Sequence, residues 1–188
     1  MKIGLFFGSF NPIHLGHLII ANVMQDQTDL DEVWFVVSPQ NPFKTQKSLL
    51  HEFDRLKMVE LAIADHFHFK ATDVEFHMPR PSFTIDTLIY LSESYPQHDF
   101  KLVIGGDNLN HFHKWKNHGL ILERYGLYVY PRPGLNPNYK HPNVKFVAAP
   151  LMDISATFIR QAIQSGHSVR YLLPEKVEEY IADKKLFL

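Results

Sequence analysis

The sequence has no cysteine among its 188 residues. That absence excludes disulfide bonds, thiolate metal ligands and a cysteine nucleophile, and it suits a cytoplasmic protein. No apolar run reaches the roughly 18 residues that a membrane-spanning helix requires. The apolar start of the chain is interrupted at Gly8 and is too short for a signal peptide. We therefore expect a cytoplasmic, unprocessed protein with no membrane partner.

The chain also has no excess of either charge, with 19 Lys and Arg against 20 Asp and Glu. A dedicated nucleic-acid surface needs a basic face, so we expect no nucleic-acid partner. Apolar residues make up 45% and charged residues 21%, which is a globular composition. A chain of this length can form one domain with a substantial core. The sequence leaves a homo-oligomer open.

Short apolar segments alternate with segments whose apolar residues recur at helical spacing. Such alternation implies a parallel sheet with helices on both faces, so the predicted fold is α/β, Rossmann-like and doubly wound. We predict Ser82 or Thr84 as the N-cap of the third helix and Gly166 as the C-cap of the fourth. The predicted strands lie at 2–7, 32–37, 67–74, 99–107, 126–134 and 144–150, and the helices at 15–27, 51–65, 82–95, 153–166 and 173–186.

The segment GSFNPIHLGH follows the first predicted strand. Its glycines let backbone N–H groups approach a phosphate, and the start of a helix adds positive potential. The segment is neither a Walker A loop nor a G-x-G-x-x-G fingerprint. Because ligands of open parallel sheets bind beyond the carboxyl ends of the strands, the segment is a candidate phosphate site.

His14 and His17 lie three residues apart at a helix start and therefore share a face. A catalytic zinc site would need a third ligand and a carboxylate that this pair lacks. The pair can instead donate hydrogen bonds to phosphate oxygens and stabilise charge that develops during phosphoryl transfer. A capped turn with two partly exposed histidines is the structural alternative, and the tetrapeptide alone leaves it open.

A second phosphate-type pattern occurs far along the chain, in ISATFIR. Ser155 and Thr157 stand at a predicted helix start, and Arg160 follows three residues later. Hydroxyls, free N–H groups and a guanidinium together can clamp a phosphate. Alone, this pattern fits an ordinary capped helix with a surface arginine better. Two such segments in one small sheet domain favour a nucleotide site.

Other histidines invite a metal-site interpretation. If HFH lies in a strand, its alternation puts both histidines on one face. No carboxylate lies at ligand spacing, so we expect no physiological metal site there. The histidines concerned are His66, His68, His111, His113 and His118.

Together the two phosphate-type segments resemble the signatures G-[ST]-F-[DN]-P-x-H-x-G-H and I-S-[ST]-x-x-I-R of the nucleotidylyltransferase superfamily. Within it, the chain resembles the bacterial nicotinate-nucleotide adenylyltransferase family through NPFK, RPSFTIDTL, GGDNLNHFHKW and PRPG, in the family's order. The resemblance covers nearly the whole chain. It implies a single nucleotidylyltransferase domain over 1–188, whose C-terminal helices, at about 150–188, pack at its edge.

The resemblance implies transfer of the adenylyl group of ATP to nicotinate mononucleotide in NAD biosynthesis, with pyrophosphate as the other product. Mg²⁺ would be bound through the ATP phosphates. The nearest alternatives are nicotinamide mononucleotide as the acceptor, or a sister enzyme that adenylylates phosphopantetheine or cytidylylates a phospho-alcohol. A non-catalytic nucleotide-binding domain is a remote alternative, because the candidate catalytic side chains are all present.

The resemblance also implies roles for individual residues. Asp107 would accept hydrogen bonds from the adenosine ribose, and Trp115 would stack on the nicotinate ring. In structural terms alone, Asp107 could cap a helix and Trp115 could be a packed surface aromatic. The implied catalytic residues are His14, His17, Lys44 and Arg160. The implied ATP-binding residues are Gly8, Ser9, Phe10, His14, His17, Gly105, Asp107, Ile154, Ser155, Thr157 and Arg160. The mononucleotide would be bound by Asn11, Lys44, Thr84, Trp115, Lys116 and Arg132.

The sequence departs from the family pattern at four positions. Phe7 stands where the family often has Gly, and Asn11 stands where Asp is common. Phe43 replaces the histidine of a P-H-K segment, and Ala156 replaces a serine in the last motif. These departures concern the details of phosphate contact and leave the implied reaction class unchanged.

Overall fold

A computed structural model describes residues 1–39, 49–133, 139–151 and 153–188. Its strands form one six-stranded sheet in the order β3-β2-β1-β4-β5-β6, and every neighbouring pair is parallel. The prediction of an α/β, Rossmann-like, doubly wound sheet is therefore confirmed. The strands are β1 (Lys2–Gly8), β2 (Glu32–Val37), β3 (Phe69–Thr72), β4 (Asp99–Gly105), β5 (Leu127–Tyr130) and β6 (Val144–Phe146).

Helices cover both faces of the sheet. Because side chains alternate along a strand, Phe6 of β1 packs in the core on one face and Phe7 packs against the core on the other. The first face is covered by α1 (Leu15–Asp26), α2 (Glu52–Ile63), α6 (Ala156–Gln164) and α7 (Glu175–Asp183). The second is covered by α3 (Thr84–Ser94), α4 (Gly106–His111) and α5 (His118–Arg124).

The strand order creates a crevice at the centre of the sheet. From β1 the chain builds outward through β2 and β3 on one side, then returns to β4 on the other side of β1. This change of direction separates the loops that follow β1 and β4 and leaves room for a ligand beyond their carboxyl ends. The segment GSFNPIHLGH begins at that point.

The C-terminal helices share the core of the first face. Ile159 of α6 and Val177 of α7 are fully buried among side chains of α1 and α2. The Tyr180 hydroxyl of α7 donates to Asp54 of α2 at 2.8 Å. Gly166, just beyond α6, has a φ of 71°, a conformation in which glycine avoids the strain of a Cβ.

Several local predictions are wrong. β3 begins at Phe69, so His66 and His68 precede the strand and do not share a strand face. His111 ends α4 and His113 lies in a 3₁₀ helix at Phe112–Lys114, so that HFH is no strand either. The N-cap of α3 is Phe83 instead of Ser82 or Thr84. A second 3₁₀ helix at Val74–His77 replaces the predicted end of β3, and β6 ends at Phe146.

Within the part of the chain that the structure describes, no helix is long and apolar enough to cross a membrane.

Candidate active site

Two glycines line the crevice because their neighbours approach too closely for any side chain. A Cβ on Gly8, the last residue of β1, would lie 2.7 Å from the Phe10 ring. A Cβ on Gly105, the last residue of β4, would collide with the carboxylate of Asp107. Both strand ends therefore require glycine, because the Phe10 ring and the Asp107 carboxylate occupy the space that a Cβ would need.

Phe10 anchors the turn that follows β1. Its side chain is buried, with its ring edge-on to Phe6 and Phe35, and its backbone has a φ of 44°. A positive φ is rare for a bulky residue and persists only where packing holds it. Burial of the ring fixes the backbone of the turn, of which Gly8 and Ser9 line a cavity.

His14 and His17 form a stacked pair at the start of α1. Their rings lie 3.7 Å apart with an interplanar angle of 25°. Gly16 lies between them, and a Cβ there would be in tight contact, 3.1 Å from the His14 ring. The His14 backbone N–H donates to Nδ1 of His17 at 3.2 Å. A neutral His17 therefore carries its proton on Nε2, where it can be donated to a ligand.

Burial favours the neutral form of both rings. It lowers the pKa of His14 to about 4, and the positive charge of Arg132 acts in the same direction. The pKa of His17 is lowered well below its usual 6.5, first by burial and then by His14 and Arg132. At pH 7 the free protein thus holds two neutral imidazoles, each able to donate one N–H.

A small pocket lies against the histidine pair. Besides the two rings, Gly16, Ile154, Tyr130 and Arg132 contribute to its wall. Arg132, which is predicted to contact the mononucleotide, lines this pocket with the histidines. Its guanidinium carbon lies 6.0 Å from the centre of the Tyr130 ring.

The ISATFIR segment lies beside the histidines. Ile154 reaches the neighbourhood of Gly16, and Ser155 caps α6 by accepting from the Phe158 N–H at 3.2 Å. Arg160 donates to the Asn11 carbonyl at 2.9 Å and to the Thr157 hydroxyl at 3.3 Å. The two phosphate-type segments, nearly 150 residues apart in sequence, are thus joined through a direct hydrogen bond.

A larger cavity of about 380 Å³ opens on the opposite face of β1. Thr84 at the start of α3 lines it, together with Trp115 and Lys116. Trp115 is held against Phe112 at 5.5 Å between ring centres. The Lys116 ammonium lies 2.8 Å from the Asp86 carboxylate and 4.7 Å from the centre of the Phe83 ring. Three of the six residues predicted for the acceptor therefore line one cavity.

Comparison with known proteins agrees with this architecture. A family model described as cytidylyltransferase-like matches residues 5–162. A probable nicotinate-nucleotide adenylyltransferase of Cytophaga hutchinsonii is 60% identical, covering 100% of this chain and 98% of that protein. One of Flavobacterium johnsoniae is 50% identical, with 96% of each chain covered. The chain belongs to the nicotinate-nucleotide adenylyltransferase family.

A solved structure supports the fold of this family member independently. The Plasmodium falciparum nicotinic acid mononucleotide adenylyltransferase, complexed with NaAD, superposes with a TM-score of 0.83. Only 20% of the residues are identical, while the match covers 99% of this chain and 97% of that one. The likeness therefore concerns the fold.

The described residues that depart from the family pattern lie in the wall of the larger cavity, in the turn after β1 and at the start of α6. Phe7 lines the larger cavity on the same side as Trp115. Asn11 is buried, and its Oδ1 accepts the Leu50 N–H at 3.2 Å. Ala156 is the first residue of α6. Lys44 and Phe43, predicted to approach the reacting phosphates and to replace a family histidine, lie outside the described residues.

Asp107 occupies the first turn of α4 and is exposed at the crevice. The N-cap of that helix is Gly105, so Asp107 does not cap it. Its carboxylate lies against Gly105, the last residue of β4, where a Cβ of that residue would be. This position leaves the carboxylate available to a ligand hydroxyl.

Two buried charged residues near the crevice were not predicted. Glu75 lines the larger cavity and accepts from the Thr87 hydroxyl at 2.8 Å, and burial raises the pKa of its carboxyl. Arg55 of α2 is fully buried. A sequence signal existed for Arg55, since Met58, Val59 and Ala62 recur after it at helical spacing and are all buried. A charged residue within that stripe points to a buried polar anchor.

Proposed function

We propose that the protein transfers the adenylyl group of ATP to nicotinate mononucleotide, giving nicotinate adenine dinucleotide and pyrophosphate in NAD biosynthesis. The observation that carries this proposal is the arrangement around the end of β1. A neutral histidine pair and the ISATFIR segment lie on one face, and a cavity with an aromatic wall lies on the other. The bare backbone of Gly8 lies between them.

The reaction is a direct displacement. An oxygen of the mononucleotide phosphate attacks the α-phosphorus of ATP, the new P–O bond forms, and the bond from the α-phosphorus to the bridging oxygen breaks as pyrophosphate leaves. No covalent enzyme intermediate is needed. Catalysis then depends on holding the two phosphates in line and on stabilising the charge that spreads over their oxygens.

On the ATP side, His17 is the proposed principal catalytic residue. Its Nε2–H donates to an oxygen of the α-phosphate, while Nδ1 is held by the His14 backbone. His14 assists from the stacked ring, and Lys44 would add a charge at the reacting phosphates. Arg160, with Ser155 and Thr157, would hold the β and γ phosphates. Backbone groups of Gly8, Ser9 and Phe10 form the cradle, Ile154 and Gly105 complete the wall, and Asp107 would accept from the ribose.

On the acceptor side, Trp115 would stack on the nicotinate ring. Thr84 and the backbone near Lys116 would meet its carboxylate, because both line the cavity beside that indole. Asn11 would serve as a support of the turn, given that its side chain accepts from Leu50. Arg132 would contact a substrate phosphate, and its position in the wall of the small pocket beside the histidines supports this role.

We propose that Mg²⁺ enters with ATP and is held mainly by phosphate oxygens. Among the described residues there is no group of three or more His, Cys, Asp or Glu that could hold an ion. A hard cation at a nucleotide uses few protein ligands, which suits such a site. When bound, the ion would neutralise part of the triphosphate charge.

We propose that residues 1–188 form one nucleotidylyltransferase domain. α6 and α7 contribute buried side chains to the same core as α1 and α2, which supports this assignment.

Pyrophosphate release tests the proposed function. The protein is incubated with Mg²⁺ and ATP, and nicotinate or nicotinamide mononucleotide is added in separate reactions. We expect rapid release with nicotinate mononucleotide and at least about tenfold slower release with the amide, since a hydrogen-bonded carboxylate is selected strongly. Release with neither acceptor would overturn the enzymatic assignment, and equal rates would overturn the acceptor assignment.

A further inference from the structure

The guanidinium of Arg55 binds four backbone carbonyls. It donates to Ser9 at 2.6 Å, to Ser38 at 2.7 Å, to Pro39 at 2.9 Å and to Leu50 at 3.0 Å. Within the described residues, no carboxylate lies at ion-pair distance from it. Four carbonyl dipoles thus contact the charge of this fully buried side chain, and the Glu52 carboxylate stabilises it from beyond ion-pair distance.

These carbonyls come from three different segments. Ser9 follows β1, Ser38 and Pro39 follow β2, and Leu50 precedes α2. Burial lowers the pKa of Arg55 to about 10, so the group stays charged at neutral pH. A neutral apolar side chain of similar size would leave these four buried or partly buried carbonyls without their arginine donor. Arg55 therefore ties the carboxyl end of β1 to that of β2 from beneath the crevice.

The hydrogen bond to Ser9 fixes the direction of the next N–H group. The Ser9–Phe10 peptide is trans, and in a planar trans peptide the C=O and N–H bonds point in opposite directions. The Ser9 carbonyl points at the buried guanidinium. The Phe10 N–H therefore points away from Arg55, and it makes no hydrogen bond within the described residues.

We propose that Arg55 is a positioning residue for adenylyl transfer, because it holds the Ser9 carbonyl inward and so presents the Phe10 N–H to a phosphate of ATP. Arg160 holds the Asn11 carbonyl, two residues further along the same turn, at 2.9 Å. The turn is thus fixed by two arginines, one of which never reaches the ligand. This inference rests on the proposed function only through ATP binding.

The unmodified protein offers a direct probe of the Phe10 amide. Only two Ser-Phe pairs occur in the sequence, Ser9–Phe10 and Ser82–Phe83. Labelling serine with ¹³C at the carbonyl and phenylalanine with ¹⁵N therefore isolates two amide signals. Phe83 lines the larger cavity, so it reports on the acceptor side. We expect α,β-methylene ATP with Mg²⁺ to shift the Phe10 signal, and nicotinate mononucleotide to shift the Phe83 signal. A Phe10 signal that does not move with the ATP analogue would overturn the proposal.

The variants Arg55→Met and Arg55→Lys test the arginine itself. Met removes the charge and all donors, while Lys keeps the charge but loses the planar fork. At a temperature where each variant is folded by circular dichroism, we expect Arg55→Met to weaken binding of the ATP analogue about tenfold or more. The Phe10 shift should be lost while the Phe83 shift with nicotinate mononucleotide is kept. Arg55→Lys should lie between Met and the unmodified protein.

A matched control separates positioning from stability. Tyr180→Phe removes the hydrogen bond to Asp54, the neighbour of Arg55 on α2, without touching the crevice. It should lower the melting temperature and leave ATP binding unchanged. A folded Arg55→Met with unchanged ATP affinity would overturn the proposal, and if that variant does not fold, an unchanged Arg55→Lys would do so. Because no turnover is measured, failure of the acceptor assignment in the pyrophosphate assay would leave this result standing.

Discussion

The two faces of β1 carry unlike halves of the site. On the histidine side the groups are buried, stacked and neutral, with His14 and His17 3.7 Å apart against a small pocket. On the cavity side, Trp115 is half-buried and Lys116 is exposed around an open volume of about 380 Å³. From this difference we infer that the histidine side makes fixed contacts to a reacting phosphate, while the cavity side admits the acceptor.

Substitution of His17 should have the largest effect of the changes that separate the two sides of β1. We predict that His17→Ala lowers kcat about 10²-fold or more, because one preorganised donor to developing charge is lost. The KM for the mononucleotide should stay within about twofold, since that molecule binds on the other face of β1. Steady-state kinetics of pyrophosphate release measure both quantities.

A matched control for this variant is His167→Ala. His167 is exposed beyond the end of α6, away from the crevice, so its removal should leave both parameters unchanged. A near-normal kcat for His17→Ala in a folded protein would reduce the histidine pair to a structural role.

The buried, neutral character of the histidine half predicts a loss of stability in mild acid. In the unfolded chain His14 titrates near 6.5, and burial lowers its pKa to about 4 in the folded protein. Between those values the unfolded chain binds more protons, so the free energy of unfolding falls as the pH drops through this window. At pH 5, this difference in proton binding at His14 should lower the free energy of unfolding by about 2 kcal/mol.

Urea denaturation of the unmodified protein and of His14→Gln at pH 7 and pH 5 measures this share. The variant should lose less stability than the unmodified protein over the same interval, because its side chain does not titrate. An equal loss in both would show that His14 is not held neutral by its surroundings.

The smallest expected effect lies on the cavity half. We predict that Trp115→Ala raises the KM for nicotinate mononucleotide about tenfold, since stacking on an aromatic ring is worth about 1–3 kcal/mol per base. The KM for ATP and kcat should change little. Tyr90→Ala, which removes an exposed aromatic of α3 outside the cavity, is the control. An unchanged mononucleotide KM would remove Trp115 from the site.

The sheet could be predicted because its strands are short, apolar and separated by helices of clear periodicity. The helices that follow β4 could not be predicted, because α4, α5 and the 3₁₀ helix between them are too short to show a helical spacing of apolar residues. The prediction of a shared strand face for the two HFH segments is wrong for the same reason, since alternation over three residues carries almost no information about strand structure.

Within the site, the sequence motifs identified the candidate residues, but they did not indicate on which side of β1 each one lies. Arg132, just after β5, lines the small pocket with the histidines, although β4 lies between β5 and β1 in the sheet. Arg55 and Glu75 bind groups that are distant in sequence, so their partners depend on tertiary structure. The spacing of Arg55 within a buried helical stripe was the one local sign of such a role.

The most direct test of this division is to measure kcat and both KM values for His17→Ala and Trp115→Ala side by side under identical conditions. We predict that His17→Ala changes kcat and leaves the mononucleotide KM nearly unchanged, while Trp115→Ala does the reverse. If both variants changed the same parameter, the two faces of β1 would not have separate roles.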